Sequence, residues 1–297
     1  MDINGVVNIY KEEGYTSHDV VAIVKKLFKA KTGHTGTLDP QATGVLPICL
    51  GKATKLSDYI MADIKGYKAT LKLGITTDTQ DIWGNVCSTK DVCCNHEEIR
   101  QVIETFIGKQ SQIPPMYSAI KVDGKKLYEL AREGKTIERK SRDVEIYSID
   151  IVSFNGKDEV ELDIICSKGT YIRTLCHDIG EKLNCGGVMA SLLRFKSGEF
   201  CIENAIKISE LREKVKSDNL DFIIPIEDIL KNFTKVISNK LAQKYIENGN
   251  KININLTDLS DKSIKNQQKY VVFDYENRLS GIYEVFGNSL KPVTMLR

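Results

Sequence analysis

The segment Thr32–Pro47, TGHTGTLDPQATGVLP, gathers three glycines, four threonines, one histidine and a single aspartate followed at once by proline. Pro40 biases Asp39 out of the helical region and into extended backbone. Gly33, Gly36 and Gly44 allow tight bends or close approach by another chain segment. His34 lies five positions before the aspartate in the same loop. A nucleophilic or basic carboxylate needs this kind of fixed presentation. Asp-Pro inside a Gly/Thr loop is also an ordinary turn, so local chemistry leaves two readings open.

The flanking sequence frames the loop. Before it, SHDVVAIVKKLFKA reads as an amphipathic helix with Ser17 as cap and Val20, Val24, Leu27 and Phe28 in one stripe. After it, GVLPICLG reads as a buried strand. In GYKATLKLG, Tyr67, Ala69, Leu71 and Leu73 share one face of a strand and Lys68, Thr70 and Lys72 the other. On that pattern alone Tyr67 is a core tyrosine. NHEEIRQVIETFIGK is a helix capped by Asn95 and stopped by Gly108. DVEIYSIDIVSF and DEVELDIICSKGTYIRT alternate as two strands of a hairpin around NGKD. Strand alternation through SKGTYIRT sets Tyr171 and Arg173 on one face, a sensible surface for a base and a charge and equally a common half-exposed strand. LCHDIGEKL follows as a helix. SELREKV and DFIIPIEDILKN are short helices of a connecting region, and YVVFDYENRLSGIYEVF is a β-hairpin.

The length of 297 residues suits one large domain and a small one. Its 41% apolar and 28% charged residues fit neither disorder nor a membrane protein. No apolar run reaches the roughly 18–20 residues of a spanning helix, and the start lacks a signal-peptide pattern, so a cytoplasmic protein is expected. The eight cysteines show no paired C-x-x-C spacing, and adjacent Cys93 and Cys94 do not suit one tetrahedral metal, so no metal site is expected. Asp39, Asp78 and Asp81 could in principle converge as glycosidase carboxylates, but nothing in their spacing requires it. No Walker loop, dinucleotide fingerprint or H-E-x-x-H occurs. The net charge of +2 hides an uneven distribution: Lys121–Arg142 holds eight basic residues against four acidic, and Lys235–Arg297 ten against six. Two basic regions flanking a mildly acidic connector suit a polyanion.

GHTGTLDPQATGVLPICLGKATK, GYKATLKLGITTDTQD, IPPMYSAIKVDGKKLYELAREG and CSKGTYIRTLCHDIGEKLNCGG occur in this order. Together they resemble the bacterial tRNA pseudouridine synthase B family, strongly over residues 2 to about 200. The resemblance implies an α+β fold. It comprises a catalytic domain over 1–232 with a central mixed, mostly antiparallel sheet flanked by helices and an RNA-gripping arm at about 110–142. A small, mostly β, PUA-like RNA-binding domain over 233–297 completes it. It implies that a uridine in the T-loop of tRNA (position 55) is isomerised to pseudouridine without a cofactor. By position, Asp39 matches the essential aspartate, His34 the residue that displaces the target base, and Tyr67 the tyrosine stacked on uracil. Arg173 matches the arginine paired with the aspartate, Tyr171 a substrate-contacting tyrosine, Leu192 a uracil-pocket residue and Asp81 an aspartate near the nucleotide. Arg173 is expected to lower the Asp39 pKa. The implied partner is the T-arm of tRNA, with no membrane and no protein partner, the chain acting as a monomer. A guide-RNA-dependent synthase and an RNA-binding tRNA-folding chaperone are the competing readings. Two departures stand out: Lys11-Glu12 where the family commonly has Lys-Pro, and Leu193-Arg194 where it often has Arg-Arg.

Overall fold

The computed structural model describes residues 3–61, 64–122, 124–259 and 267–297. A nine-stranded sheet runs through the first two thirds of the chain. Its main path passes, in spatial order, through Gly5–Lys11, Thr43–Leu50, Gly187–Ser197, Ile64–Leu73, Glu159–Ser167, Arg142–Phe154 and Gly108–Gln112. Every neighbouring pair on that path is antiparallel except Thr43–Leu50 with Gly187–Ser197. That parallel pair touches at only two positions, Leu193 opposite Thr43 and Arg194 opposite Gly44. The sheet is therefore pinched shut at one point and splays open beside it.

The alternation read in GYKATLKLG holds: Tyr67, Ala69, Leu71 and Leu73 are buried and Lys68 is exposed. Each aliphatic side chain so buried contributes about 1.5–3 kcal/mol. They join the core beneath the helices Ser17–Phe28 and Ile172–Lys182. The hairpin around NGKD also forms, with Ile149 opposite Ile164.

Three local expectations are corrected. The first helix is capped by Thr16, which forms a capping box with Asp19, rather than by Ser17. Ser17 is inside the helix and buried, and its hydroxyl bonds both backbone groups of Leu38. The helix begun at His96 ends at Glu104, and Gly108 instead opens a strand. The strand drawn through SKGTYIRT stops at Ser167. Gly169 turns the chain at φ +83°, Thr170 closes the turn by donating to the Ser167 carbonyl, and Tyr171 becomes the residue that precedes the Ile172–Lys182 helix. The apparent alternation across 171–173 was a coincidence of period over a glycine turn.

The arm folds as a small unit. Lys121–Val122 pairs with Lys125–Lys126, and the helix Leu127–Arg132 follows; Asp123 of the expected VDGKK turn lies outside the described residues. A second, five-stranded sheet occupies the last quarter of the chain, in the order Lys235–Ile237, Lys269–Phe273, Leu279–Phe286, Ser289–Met295, Ile252–Asn253. It includes the expected tail hairpin. Val271, Phe273 and Ile282 from this sheet, with Leu296 just after it, share a core with Val6, Val45 and Cys49 of the first sheet and Leu56 of the short helical turn that follows. The architecture is α+β, a large mixed sheet with a mostly β C-terminal unit.

Candidate active site

Asp39 sits on a turn closed by the Ala42 amide, which donates to the Asp39 carbonyl. Segments far away in sequence hold this turn. From one side comes Ser17 through Leu38. From below comes Lys11, fully buried, whose Nζ donates to the carbonyls of Pro40 at 3.0 Å, Tyr15 at 2.7 Å and Glu12 at 3.1 Å. From the sheet comes Arg194, also buried, whose guanidinium donates to the carbonyls of Val45 at 2.8 Å, Gly36 at 3.1 Å and Thr37 at 3.4 Å. Gly44 lets the Arg194 backbone pass this close to the turn. A Cβ there would lie 2.2 Å from the Arg194 carbonyl oxygen, and its φ is +106°, a backbone state that side chains disfavour. The buried cations stay within the protein because carbonyl dipoles replace their water.

The carboxylate faces a cleft of about 800 Å³ whose walls include Tyr67, Asp81, Tyr117, Tyr171, Arg173 and Leu192. Arg173, 6% exposed, comes from the first turn of the Ile172–Lys182 helix and contacts both Asp39 oxygens at 3.0 and 3.2 Å. The same guanidinium donates to the Tyr117 carbonyl at 2.9 Å and stands 3.6 Å from Asp81. Tyr171, beside it, is clamped by Gln112, which bonds its backbone N–H and carbonyl. Arg142 lies over the Tyr171 ring at 5.6 Å.

The expected lowering of the Asp39 pKa does not hold. Desolvation raises it, Arg173 pulls it back, and Asp81 adds to the rise. The physical reason is desolvation: the cost of taking the carboxylate out of water outweighs the pull of the neighbouring guanidinium. The Asp39 side chain is still 39% exposed, so the rise belongs to a cleft wall rather than to a sealed interior.

Tyr67 is 8% exposed yet lines the cleft. Burial raises its pKa, and the Arg194 guanidinium, hydrogen-bonded to it, opposes that rise, so the hydroxyl stays protonated. His34 is on the short strand Thr32–His34, edge-on to His18 at 5.7 Å, with Nδ1 accepting the Gly36 amide at 3.3 Å. Burial lowers its pKa, with His18 and Arg194 acting in the same direction, so the ring is held neutral. His18, rather than His34, contributes to the cleft wall. Six of the seven singled-out residues therefore surround one cavity and His34 stands behind its rim.

Sequence reasoning passed over Lys11, Arg194 and Gln112 as parts of the site. The available signal was a cation ending the apolar strand GVVNIYK and another inside GVMASLLRFKS. A charge on the buried face of a strand requires a partner. Among the described residues no group of His, Cys, Asp and Glu could hold a metal ion, and no helix is long and apolar enough to cross a membrane.

Comparison with known proteins identifies the family. The N-terminal domain of TruB family pseudouridylate synthases matches residues 25–172, and the tRNA pseudouridylate synthase B C-terminal domain matches 173–231. The tRNA pseudouridine synthase B of Alkaliphilus oremlandii is 51% identical over 84% of this chain and 83% of its own. That of Lachnoclostridium phytofermentans is 45% identical over 99% of both chains. Among solved structures, a Cbf5-Nop10-Gar1 complex contains a chain with TM-score 0.73 and 26% identity, covering 99% of this chain and 85% of that one. An H/ACA RNP bound to a substrate RNA containing 2'-deoxyuridine gives TM-score 0.71 and 25% identity, with 99% and 85% covered.

Proposed function

The chain belongs to the tRNA pseudouridine synthase B family, an enzyme family that makes pseudouridine in tRNA, and from that premise we propose that it acts on uridine 55 of the T-loop with Asp39 as the catalytic carboxylate. The observation that carries this reading is the Asp39 turn itself: a carboxylate fixed from three directions, paired to a buried arginine and opening on the cleft.

The reaction breaks the N1–C1′ bond and forms a C5–C1′ bond. A proton leaves C5 and N1 gains one, so there is no redox change and no net hydrolysis. Asp39, ionised, attacks the nucleoside or initiates cleavage at C1′. Arg173 keeps the carboxylate aimed and offsets part of its desolvation. Tyr67 stacks on the detached uracil with its hydroxyl near C5. Leu192 and Tyr171 close the pocket, and Asp81 orients Arg173. The neutral His34 supports the rim through which the target base is displaced. Extruding a stacked uridine costs a few kcal/mol, and stacking on an aromatic ring returns about 1–3 kcal/mol.

Cations of the 110–142 arm are read as the grip on T-arm phosphates, with the 233–297 unit as a second, PUA-like RNA contact. In this reading the chain works alone on cytoplasmic tRNA. A T-arm stem-loop carrying tritium at uridine C5 tests the proposal: the protein should release tritium to water, and Asp39→Asn should bind the RNA and release none. Normal turnover by Asp39→Asn would sink the mechanism. Binding without release by the unaltered protein would favour a folding chaperone instead.

A further inference from the structure

The arm leaves the central sheet at Gln112, the last residue of the strand Gly108–Gln112, and rejoins it at Arg142, the first of Arg142–Phe154. These two residues are partners across the antiparallel pair, and both reach Tyr171. Gln112 Nε2 donates to the Tyr171 carbonyl at 3.0 Å, and Gln112 Oε1 accepts the Tyr171 amide at 2.8 Å. The Arg142 guanidinium lies over the Tyr171 ring. Gln112 is 5% exposed, so both ends of a buried amide are committed to one residue 59 positions away.

Tyr171 needs an outside hold. It precedes the helix Ile172–Lys182 in extended backbone, at φ −95° and ψ 107°, and its side chain makes no capping bond. Ser, Thr, Asp or Asn ordinarily occupies such a position and reaches the first helical amides with its own oxygen. Here the Gln112 amide fixes the backbone instead. Two residues earlier the chain turns through Gly169, whose conformational freedom gives no stiffness from that side.

Arg173 follows two residues on. Its contacts with Asp39 and with the Tyr117 carbonyl all come from the terminal nitrogen Nη2. Its Nε is buried and, among the described residues, has no hydrogen-bond partner. No bond along the stem corrects the aim, so the Arg173 backbone decides where the guanidinium arrives. A displacement of about 1 Å at a reacting centre can cost ~10²-fold in rate.

We propose that Gln112 is a positioning residue for the reaction: by clamping Tyr171 at the start of the helix, it sets the Arg173 guanidinium against Asp39. Gln112 is not among the walls of the cleft, so it acts through Arg173 and not on the RNA. The inference rests on the Asp39 reading above and adds to it a residue outside the cleft.

Steady-state tritium release from the T-arm stem-loop separates this role from a merely structural one. Gln112→Leu should lower kcat by about 10- to 100-fold and leave KM within about threefold, the mark of an interaction used in the transition state. Arg173 and Lys11 oppose the rise in the Asp39 pKa that desolvation and Asp81 cause. A misplaced guanidinium should therefore move the acid limb of kcat/KM to higher pH. In an Arg173→Lys background the Gln112→Leu loss should shrink, since the guanidinium that Gln112 aims is already gone. Gln112→Asn keeps a buried amide but is one methylene too short for the double bond, so kcat should fall there too. Urea midpoints show that each variant is folded, and Gln112→Asn carries the test where Gln112→Leu does not fold. A folded variant with unaltered kcat overturns the proposal. An unmoved acid limb, or a loss of full size in the Arg173→Lys background, overturns it as well and leaves Gln112 a packing residue. Absence of tritium release by the unaltered protein would instead strike the T-loop reading.

Discussion

In the proposed reading the Asp39 turn and the 110–142 arm both serve one RNA, yet they are built on opposite principles. The turn has buried charge beneath it: Lys11 and Arg194 spend their hydrogen bonds on backbone carbonyls, and neither reaches solvent. The arm exposes Lys121, Lys125, Arg132, Lys135 and Lys140 and meets the Asp39 cleft through the Tyr117 carbonyl on Arg173 and through Lys126, Tyr128 and Arg132 in the cleft wall. A reacting carboxylate must be held to a fraction of an ångström, which calls for enclosed dipoles and no competing water. A phosphate grip needs charge at a surface, where shape can adapt and salt can compete. On that reading, cations of the same valence do structural work in one region and binding work in the other.

The sharpest way to break this contrast is Arg194→Met. It takes a donor from the buried Val45 carbonyl and from the part-buried carbonyls of Gly36 and Thr37, and it frees the Tyr67 hydroxyl. Loss of these bonds should cost about 3–5 kcal/mol of stability, read from the urea midpoint, with tritium release falling further than stability alone explains. A variant with the original midpoint and rate would show that the turn holds itself.

The arm should answer in the opposite manner. Replacing Lys121, Lys125, Arg132 and Lys140 by glutamate should weaken stem-loop binding by about 10²- to 10³-fold at ~0.1 M salt and flatten the dependence of log K on log salt by about 3. The urea midpoint should stay within about 0.5 kcal/mol, as expected of exposed positions. Unchanged affinity at low salt would remove the arm from the RNA interface.

This contrast also marks what the sequence made legible. The alternating face of GYKATLKLG, the capped helix after Asn95 and the glycine-bracketed Asp39 turn follow from local rules, and the structure keeps them. Tyr67 was readable as buried from its strand face alone; only the cleft shows that the same ring is also a wall. Lys11 and Arg194 were not legible as supports, because the carbonyls they satisfy come from segments brought near only by the fold. Arg194 is nearly 150 residues from the Val45 carbonyl that it meets. The strand drawn through Tyr171 and Arg173 failed for a different reason, although both residues reach the cleft. Period-two spacing continued by chance past Gly169, and the turn signal in that glycine outweighs it. The upward shift of Asp39 was hidden because its main cause is burial against segments that only the fold brings together, with Asp81 adding to it.

Lys11 offers the finest test of the turn, through pH. Burial lowers its ammonium from 10.5 to about 8; Asp39 opposes that change and Arg194 assists it. Between about pH 8 and 10.5 the unfolded chain thus keeps a proton that the folded chain has lost. Stability rises with pH wherever the unfolded state binds more protons, so this group adds stability through that window, by ~3 kcal/mol at most. The sign is the reverse of a lysine stabilised by a surface carboxylate, because here the cost of burying the charge outweighs the attraction. Urea midpoints of the unaltered protein and of Lys11→Met, compared at pH 7.5 and 10.5, isolate the effect. Lys11→Met should start less stable, since the Glu12, Tyr15 and Pro40 carbonyls each lose a donor, Pro40 keeping only the Gly14 amide, and should lack the part of the alkaline rise that Lys11 supplies. Parallel pH profiles for the two proteins would mean that the amine beneath Pro40 titrates as freely as one in water, and that the turn is less enclosed than its hydrogen bonds imply.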